Sequence, residues 1–355
     1  MTLAVIGAGN GGQAFAGHLA SLGFKVRLYD RNPERIKILN SLDTIKLTGV
    51  LECEGKVDLV STNLREVISG AEVIMVATTA TAHRSIASQM APFLVENQII
   101  VLNPGRTCGA LEFRNTLEQS GLKKRVYVAE AQTLVYACRL IENGRVNVIG
   151  FKDRVLLSAY PASDTSHVLS VIKPMFPCMY AAENVLQTSF ENVGAIFHPT
   201  VVLFNEAAIE RGDSFYFYRD MTDGLARIIE EADSERLKVA SAYGIEPISA
   251  FDWVAYAYEG VDGKNLCERM QNNPAYYEIL APRTIDCRQI TEDIPTGIIP
   301  LAELGKAAGV STPLFDSLIT ICSVLHGRDF RKEGRTLRRL GLEGLTKDEI
   351  MTKIQ

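Results

Sequence analysis

The sequence predicts an α/β protein: a doubly wound parallel sheet followed by an all-helical second domain. Three observations predict it. Over roughly the first half of the chain, short apolar runs alternate with helical patterns, the arrangement of a parallel sheet covered by helices on both faces. A glycine loop follows the first of those runs directly. From about Glu183 the alternation stops, and long helical patterns dominate to the end. A length of 355 residues suits two domains, placed at 1–182 and 183–355.

Taken in order, Thr2–Ile6 is a buried-strand run, and GAGNGG then opens a helix that ends at Leu22–Gly23, with Gly23 suited to a C-cap. Lys25–Tyr29 is the second strand and stops at Asp30. Further strands are expected at Val57–Ser61, Val73–Ala77, Ile99–Leu102, Val126–Ala129, Val146–Gly150 and Val155–Ala159. Helical patterns cover 184–211, 220–243, 248–258, 299–308, 312–326 and 346–354. Between them, 260–298 reads as irregular, with Asn272, Asn273, Pro274, Pro282, Pro295 and Gly297 as breakers. The cleft between the two domains is the expected place for chemistry.

Composition narrows the function classes. The chain is 47% hydrophobic and 22% charged with a net charge of −5, so no basic field calls for nucleic acid. The cluster Arg331, Lys332, Arg335, Arg338 and Arg339 reads as a solvated, partly helical surface. Seven scattered cysteines show no CxxC and no metal-ligand spacing, so no metal site and no disulfide framework are expected. The start, MTLAVIGAGNGG, lacks the basic region and cleavage site of a signal peptide, and no apolar run reaches the roughly 20 residues of a membrane span. A soluble, cytoplasmic protein is expected.

Gly7, Gly9 and Gly12 form GxGxxG between a strand and a helix. In that setting Gly7 makes the tight turn, Gly9 admits a pyrophosphate to the backbone, and Gly12 permits close helix–strand packing. The helix start offers free N–H groups to the phosphates, and Ala8, Asn10 and Gly11 belong to the same cradle. A Rossmann-type dinucleotide site follows. Asp30, 18 residues past Gly12, is placed to accept hydrogen bonds from the adenosine ribose, which favours NAD. Arg31 leaves NADP open: it could pair with a 2′-phosphate, stack on adenine, or be solvated. Thr78, just past the strand at 73–77, is counted with the cofactor-binding residues.

Six segments narrow the class further: GAGNGGQAFAGHLA at 7–20, NPGRTCGALEFR at 103–114, YACR at 136–139, NVGAIFHP at 192–199, EDIPTGIIPLAELG at 292–305 and DFRKEGRTLRRLGL at 329–342. Together, and in this order, they resemble the opine dehydrogenase family, which includes octopine and nopaline dehydrogenases and bacterial N-(1-carboxyethyl)-norvaline dehydrogenase; the last is the nearest resemblance. It implies an NAD(P)H-dependent reductive condensation of an amino acid with a 2-oxo acid such as pyruvate, through an imine, to a secondary amine. By motif, His198 resembles the catalytic histidine, Asp293 its carboxylate partner, and Arg288 the arginine that holds the oxo-acid carboxylate. Cys138 in YACR corresponds to a residue near the amino-acid pocket, and Asn192, at the head of the FHP segment, is counted with the substrate binders.

The chemistry asks for these residue types independently. Hydride delivery to C=N needs a group that handles a proton near neutral pH, and an imidazole does so when a carboxylate fixes its tautomer and favours the imidazolium. A planar guanidinium matches a substrate carboxylate with two hydrogen bonds. Pro199 is expected to bend the helix carrying His198 and turn the ring toward the cleft. Blander readings stand beside these. Asp293 suits a helix N-cap, Arg288 a surface position and Cys138 plain core. Trp253 and Tyr258 are compatible with either packing or the pocket, while His18, His83, His167 and His326 lack a partnered motif and read as structural or exposed.

Two rivals remain. Ketopantoate reductase and glycerol-3-phosphate dehydrogenase share the two-domain plan and reduce a 2-oxo acid or related substrate without an amine, but they use a lysine near the start of the second domain. No lysine lies between Pro174 and Leu237 here. A non-enzymatic NAD(P)-binding regulator would need no His, Asp and Arg together. The amino-acid partner is not legible, because pocket side chains come from distant segments. The helical domain offers a surface for a homodimer.

Overall fold

The computed structural model describes residues 1–257 and 260–355, so Tyr258 lies outside the described residues. The chain forms two compact units: Met1–Ser189 with Thr352–Gln355, and Phe190–Met351. The sequence reading placed the break after 182.

The strands of the first unit are β1 (Thr2–Ile6), β2 (Lys25–Tyr29), β3 (Ile45–Gly49), β4 (Cys53–Gly55), β5 (Leu59–Ser61) and β6 (Val73–Val76). They continue with β7 (Ile99–Leu102), β8 (Tyr127–Ala131), β9 (Tyr136–Glu142), β10 (Arg145–Phe151), β11 (Val155–Tyr160) and β12 (Met179–Ala181). Among the described residues these build an eight-stranded sheet in the order β12-β11-β8-β7-β6-β1-β2-β5 and a four-stranded sheet in the order β4-β3-β10-β9. The central strands VIMV and IIVL are buried at every residue, as strands covered on both faces must be. The expected doubly wound sheet is present, with two departures. β11 runs antiparallel to β8, and the Val146 run belongs to the smaller sheet.

β3, β4, β9 and β12 were not expected. β9 alternates buried and exposed residues from Tyr136 to Arg139, and β3 does so from Ile45 to Leu47; neither makes an apolar block. The parallel partner of β3 is β10, about a hundred residues away, so no local turn signal announces it. This small sheet matters because it clamps the helix Asn10–Ser21 against the main one. A Cβ on Gly17 would stand 2.5 Å from Leu47 Cδ1, and one on Gly55 would stand 2.3 Å from the Gly17 oxygen. Squeezed from both sides, that helix is buried at every residue from Gly12 to Leu19. Phe15 packs edge-on to Tyr136 and Phe176, with ring centroids 5.0 and 5.4 Å away. His18 is a core residue here: Nδ1 meets the Tyr136 hydroxyl at 2.8 Å, and burial lowers its pKa.

The expected helical stretch 184–211 resolves into Val185–Phe190, Gly194–Leu203 and Glu206–Arg211, with the boundary between the units falling after Ser189 in the first of these. The helices Asp223–Ala242, Ala250–Ala257, Ile299–Ala307, Pro313–His326 and Lys347–Ile354 fall where the periodicity placed them. The irregular region still contains Leu266–Gln271, Arg288–Thr291 and a five-residue π-helix, Ile294–Ile298.

Buried charge organises the second unit. Arg236, fully buried, donates from Nε to Asp233 at 2.8 Å, from Nη2 to the Ile248 oxygen at 2.7 Å, and from Nη1 to the Phe190 oxygen. Glu235 accepts the Leu314 and Phe315 N–H groups at 2.7 and 2.9 Å, supplying a carboxylate to the positive end of Pro313–His326. One expectation fails. Arg335 is only 1% exposed, unlike its exposed neighbours Arg331 and Lys332. The chain doubles back there, with Gly334 against Ile299 and the Arg335 N–H bonded to the Pro295 oxygen at 2.9 Å. A charge run read for solvation could not show that fold-back.

Candidate active site

The glycine loop of the first unit is built as its spacing requires. Gly7 sits at φ +99°, where other residues are strained, and its N–H bonds the Tyr29 oxygen at 2.8 Å. A Cβ on Gly12 would lie 1.6 Å from the Gly7 oxygen, so only glycine lets the helix start this close to the strand. Gly9 differs: a Cβ there would meet nothing within 4 Å, so the loop keeps open space over its backbone. Thr78 Oγ1, beside Gly7, is buried with no hydrogen-bond partner among the described residues. An open glycine backbone at a helix start, with an orphaned hydroxyl beside it, fits a dinucleotide pyrophosphate.

Asp30 does more than its position implied. Its carboxylate accepts from Ala8 N at 2.8 Å, Asn32 N at 2.9 Å and Arg35 Nη1 at 3.0 Å. It therefore braces the glycine loop. Three of about four lone-pair positions are used, which leaves room for a ribose hydroxyl. Arg31 is exposed. The sequence reading missed Arg35, in the first turn of the helix Pro33–Asn40, a partner that no local spacing from Asp30 announces, since Asp30 lies outside that helix at the end of β2. It also missed Gln13, whose amide bonds the Ala8 oxygen at 2.8 Å and accepts from Gly144 N at 2.7 Å. Asn10 turns its side chain to Leu140 N at 3.2 Å, and Gly11 packs under Leu134. Lys152 in turn holds that segment, donating to Thr133 Oγ1 and the Leu134 oxygen, each at 2.8 Å. Enclosure of its ammonium, with the Arg106 charge nearby, lowers its pKa to about 8. Cys138 lies on β9 inside the apolar core of this unit, 4% exposed, and burial raises its thiol to about 11.

The second unit brings His198 and Asp293 together across 95 residues: Nδ1 and Oδ2 are 2.8 Å apart. A carboxylate accepts, so Nδ1 carries the hydrogen, and Nε2 is the nitrogen available for chemistry. The Asp293 side chain is 1% exposed, while that of His198 is 21% exposed, so the ring is anchored from within and reachable from without. Asp293 stands at the N-cap position of the π-helix, yet its side chain makes no capping bond there. Gly297 explains the spacing of the EDIPTG segment. A Cβ on it would fall 2.6 Å from the Ala195 Cβ, so glycine lets the π-helix press against the helix that carries His198. π-turns of this kind recur at functional sites. The helix Gly194–Leu203 runs on through Pro199, and Phe217 meets the His198 ring edge-on at 6.2 Å. Asn192 is buried, with its Nδ2 3.8 Å from where a Gly297 Cβ would stand.

Arg288 begins the short helix before Asp293. Its side chain is 63% exposed, and Nε faces Glu292 Oε2 at 3.4 Å. Of the remaining histidines, His83 is buried and His167 lies on the surface against Tyr127. Trp253 is half-buried on Ala250–Ala257.

Comparison with known proteins gives this arrangement a place. Residues 181–326 match the alpha-helical domain of NAD/NADP octopine/nopaline dehydrogenase, and residues 2–107 match the N-terminus of NAD-dependent glycerol-3-phosphate dehydrogenase. An opine dehydrogenase of Arthrobacter sp. (strain 1C) is 38% identical over 356 residues, spanning 100% of this chain and 99% of its own. Octopine dehydrogenase of Pecten maximus is 25% identical, covering 93% of this chain and 91% of its own. A solved octopine dehydrogenase in complex with NADH and agmatine shares the fold with a TM-score of 0.85 at 23% identity, over 99% of this chain and 98% of its own. These findings define an NAD(P)-dependent oxidoreductase with a dinucleotide-binding unit and a helical second unit. The chain belongs to the opine dehydrogenase family. Its reaction is the NAD(P)H-dependent reductive condensation of an amino acid with a 2-oxo acid, acting on the CH–NH group, and the reverse oxidation. No helix among the described residues is long and apolar enough to cross a membrane.

Proposed function

We propose that His198 is the proton-handling group, Asp293 its orienting partner and Arg288 the anchor for the oxo-acid carboxylate, with pyruvate as the oxo acid and NADH the preferred coenzyme. The observation that carries this is the 2.8 Å bond from a reachable imidazole to a buried carboxylate. A solved octopine dehydrogenase is described with NADH and pyruvate, which supports the choice of oxo acid. Asp30, with a lone-pair position to spare, supports NADH. All seven cysteines are free thiols, in keeping with a cytoplasmic enzyme.

The amino group attacks the oxo carbon, and loss of water leaves a C=N bond. A nicotinamide coenzyme held by the first unit would supply hydride to its carbon. Nε2 of His198 takes a proton from the incoming ammonium and returns one to the departing hydroxyl, while Nδ1–H stays bonded to Asp293. Asp293 stabilises the imidazolium between those transfers. Arg288 holds the oxo-acid carboxylate through both steps, so its loss falls on binding. Asn192 is assigned to the amino-acid side, and the resemblance adds Cys138, which lies in the apolar core of the first unit.

A panel of amino acids against pyruvate, glyoxylate and 2-oxoglutarate, followed by NADH oxidation, tests the substrate assignment. Pyruvate should give the highest kcat/KM. In Arg288→Ala the KM for the oxo acid should rise about 10- to 100-fold, the worth of a charge-assisted hydrogen bond, with Arg288→Lys recovering part of it. An unchanged KM would remove Arg288 from the site.

A further inference from the structure

The helix Pro313–His326 ends on a histidine whose two ring nitrogens both meet backbone carbonyls. Nδ1 lies 3.0 Å from the Cys322 oxygen, one turn back in the same helix, and Nε2 lies 3.0 Å from the Ile285 oxygen. A carbonyl only accepts, and neutral imidazole carries a single N–H. Both bonds therefore exist together only in the imidazolium. The site favours a cation, since it is a helix C-terminus, closed by Gly327 at φ +57°. Ile285 belongs to the irregular stretch that leads through Cys287 into the helix Arg288–Thr291. The Cys287 oxygen accepts the Ile290 and Thr291 N–H groups at 3.0 and 2.9 Å, so that helix inherits its placement from the stretch before it.

We infer that His326 is a positioning residue: its imidazolium ties the end of Pro313–His326 to the loop that presents Arg288, so the hold on the oxo-acid carboxylate is firm when His326 is protonated and slackens when it is not. This rests on the role of Arg288 proposed above. The charged groups on the elements around His326 are largely paired among themselves. Arg328 binds Glu333, Lys332 binds Asp329 at 3.1 Å, Arg331 binds Asp316, and Arg288 faces Glu292. Arg283 and Asp286 on the loop remain, with the thiols of Cys287 and Cys322. Burial, helped by Cys287, raises the Cys322 thiol to about 12, above the range in which a histidine titrates. Phe330 closes one side, its ring 5.6 Å away and edge-on.

The test compares the full-length wild type with His326→Gln, His326→Lys and Arg288→Ala. It follows kcat, the KM for pyruvate and NADH affinity from about pH 5.5 to 8.5, the range in which a histidine titrates. Ring-¹⁵N spectra of histidine-labelled protein give the protonation state directly. In the wild type the KM for pyruvate should rise as the pH rises, in step with loss of the doubly protonated ring signal that His326→Gln lacks. His326→Gln should raise that KM about 3- to 10-fold at low pH, the worth of one net hydrogen bond, with kcat and NADH affinity near wild type. His326→Lys, whose ammonium donates to both carbonyls throughout the range, should restore a low and pH-independent KM. If His326→Gln fails to fold, the wild-type spectrum and the lysine variant decide the matter. A ring that is neutral wherever the KM is low, or a histidine-to-glutamine variant with the wild-type KM profile while Arg288→Ala raises KM, overturns the inference. An Arg288→Ala enzyme with unchanged KM overturns the reading of Arg288 and this inference with it.

Discussion

The glycine loop of the first unit and the His198–Asp293 pair of the second work with different materials. The loop acts through backbone, and its essential features are absences: no Cβ at Gly12, where one would strike the Gly7 oxygen at 1.6 Å, and open space at Gly9. The pair acts through two side chains that the fold brings to 2.8 Å from positions 95 residues apart. A backbone device must be contiguous in sequence, whereas a side-chain device need not be. The first unit should therefore be broken by adding atoms, and the second by changing protonation.

The largest effect is expected at Gly9. In Gly9→Val the new side chain enters the open space over the loop, the place proposed for the pyrophosphate, where the loss of each charge-assisted hydrogen bond would cost about 1.5–3 kcal/mol. NADH titration should show a dissociation constant raised by two or more orders of magnitude, with thermal unfolding little changed. Gly12→Val should instead unfold at a clearly lower temperature, since its clash is with backbone. Equal behaviour of the two variants would erase the distinction between open and packed glycines.

Next comes Asp293→Asn, which should lower kcat by about 10²-fold or more. The amide still orients the ring, but the imidazolium has lost its anion and survives only at lower pH. The optimum for the reductive direction should move to the acid side in a pH–rate profile. A fall in kcat without that displacement would make Asp293 a purely geometric support.

Asp30→Ala should give a smaller change, about tenfold in the ratio of NADH to NADPH affinity, as one hydrogen bond to a charged group is lost. Removal of the carboxylate also frees Arg35 from its 3.0 Å ion pair and, with Arg31, leaves positive charge for a 2′-phosphate. If the wild type already prefers NADPH, Asp30 serves only to brace the loop.

The smallest effect concerns Lys152, which no substrate touches in this account. Its pKa falls from 10.5 to about 8 in the folded state, so between those values the unfolded chain binds more protons and stability rises with pH. The gain from pH 8 to 10.5 is at most about 3 kcal/mol, at 1.36 kcal/mol per unit. Cysteines and tyrosines with raised pKa values oppose it in the same range, so the quantity to measure is the difference between wild type and Lys152→Met in urea unfolding. A difference that does not vary with pH would show the ammonium to be fully hydrated.

The same contrast explains what the sequence disclosed. The strands of the main sheet are apolar blocks bounded by turns, and the glycine loop is a contiguous motif, so both were legible. β9 and β3 alternate with polar residues, and the partner of β3 is far off in sequence, so neither was seen. The pairing of His198 with Asp293 was legible only through resemblance of their segments to a family, since nothing local joins positions 198 and 293, and the role of Arg288 stays a proposal. Gly297 sat in the quoted segment, but its reason, a close approach to Ala195, needs the fold. Arg335 was read as solvated because its neighbours are charged, and only the fold-back onto Pro295 shows why it is buried.

The measurement that tests the separation of the two units most directly is His198→Ala, with NADH affinity and kcat determined on the same preparation. Removing a general acid–base group should lower kcat by about 10²–10⁴-fold, with NADH bound as tightly as in the wild type. A folded His198→Ala enzyme with near wild-type kcat, or one that loses NADH binding together with turnover, would contradict the account.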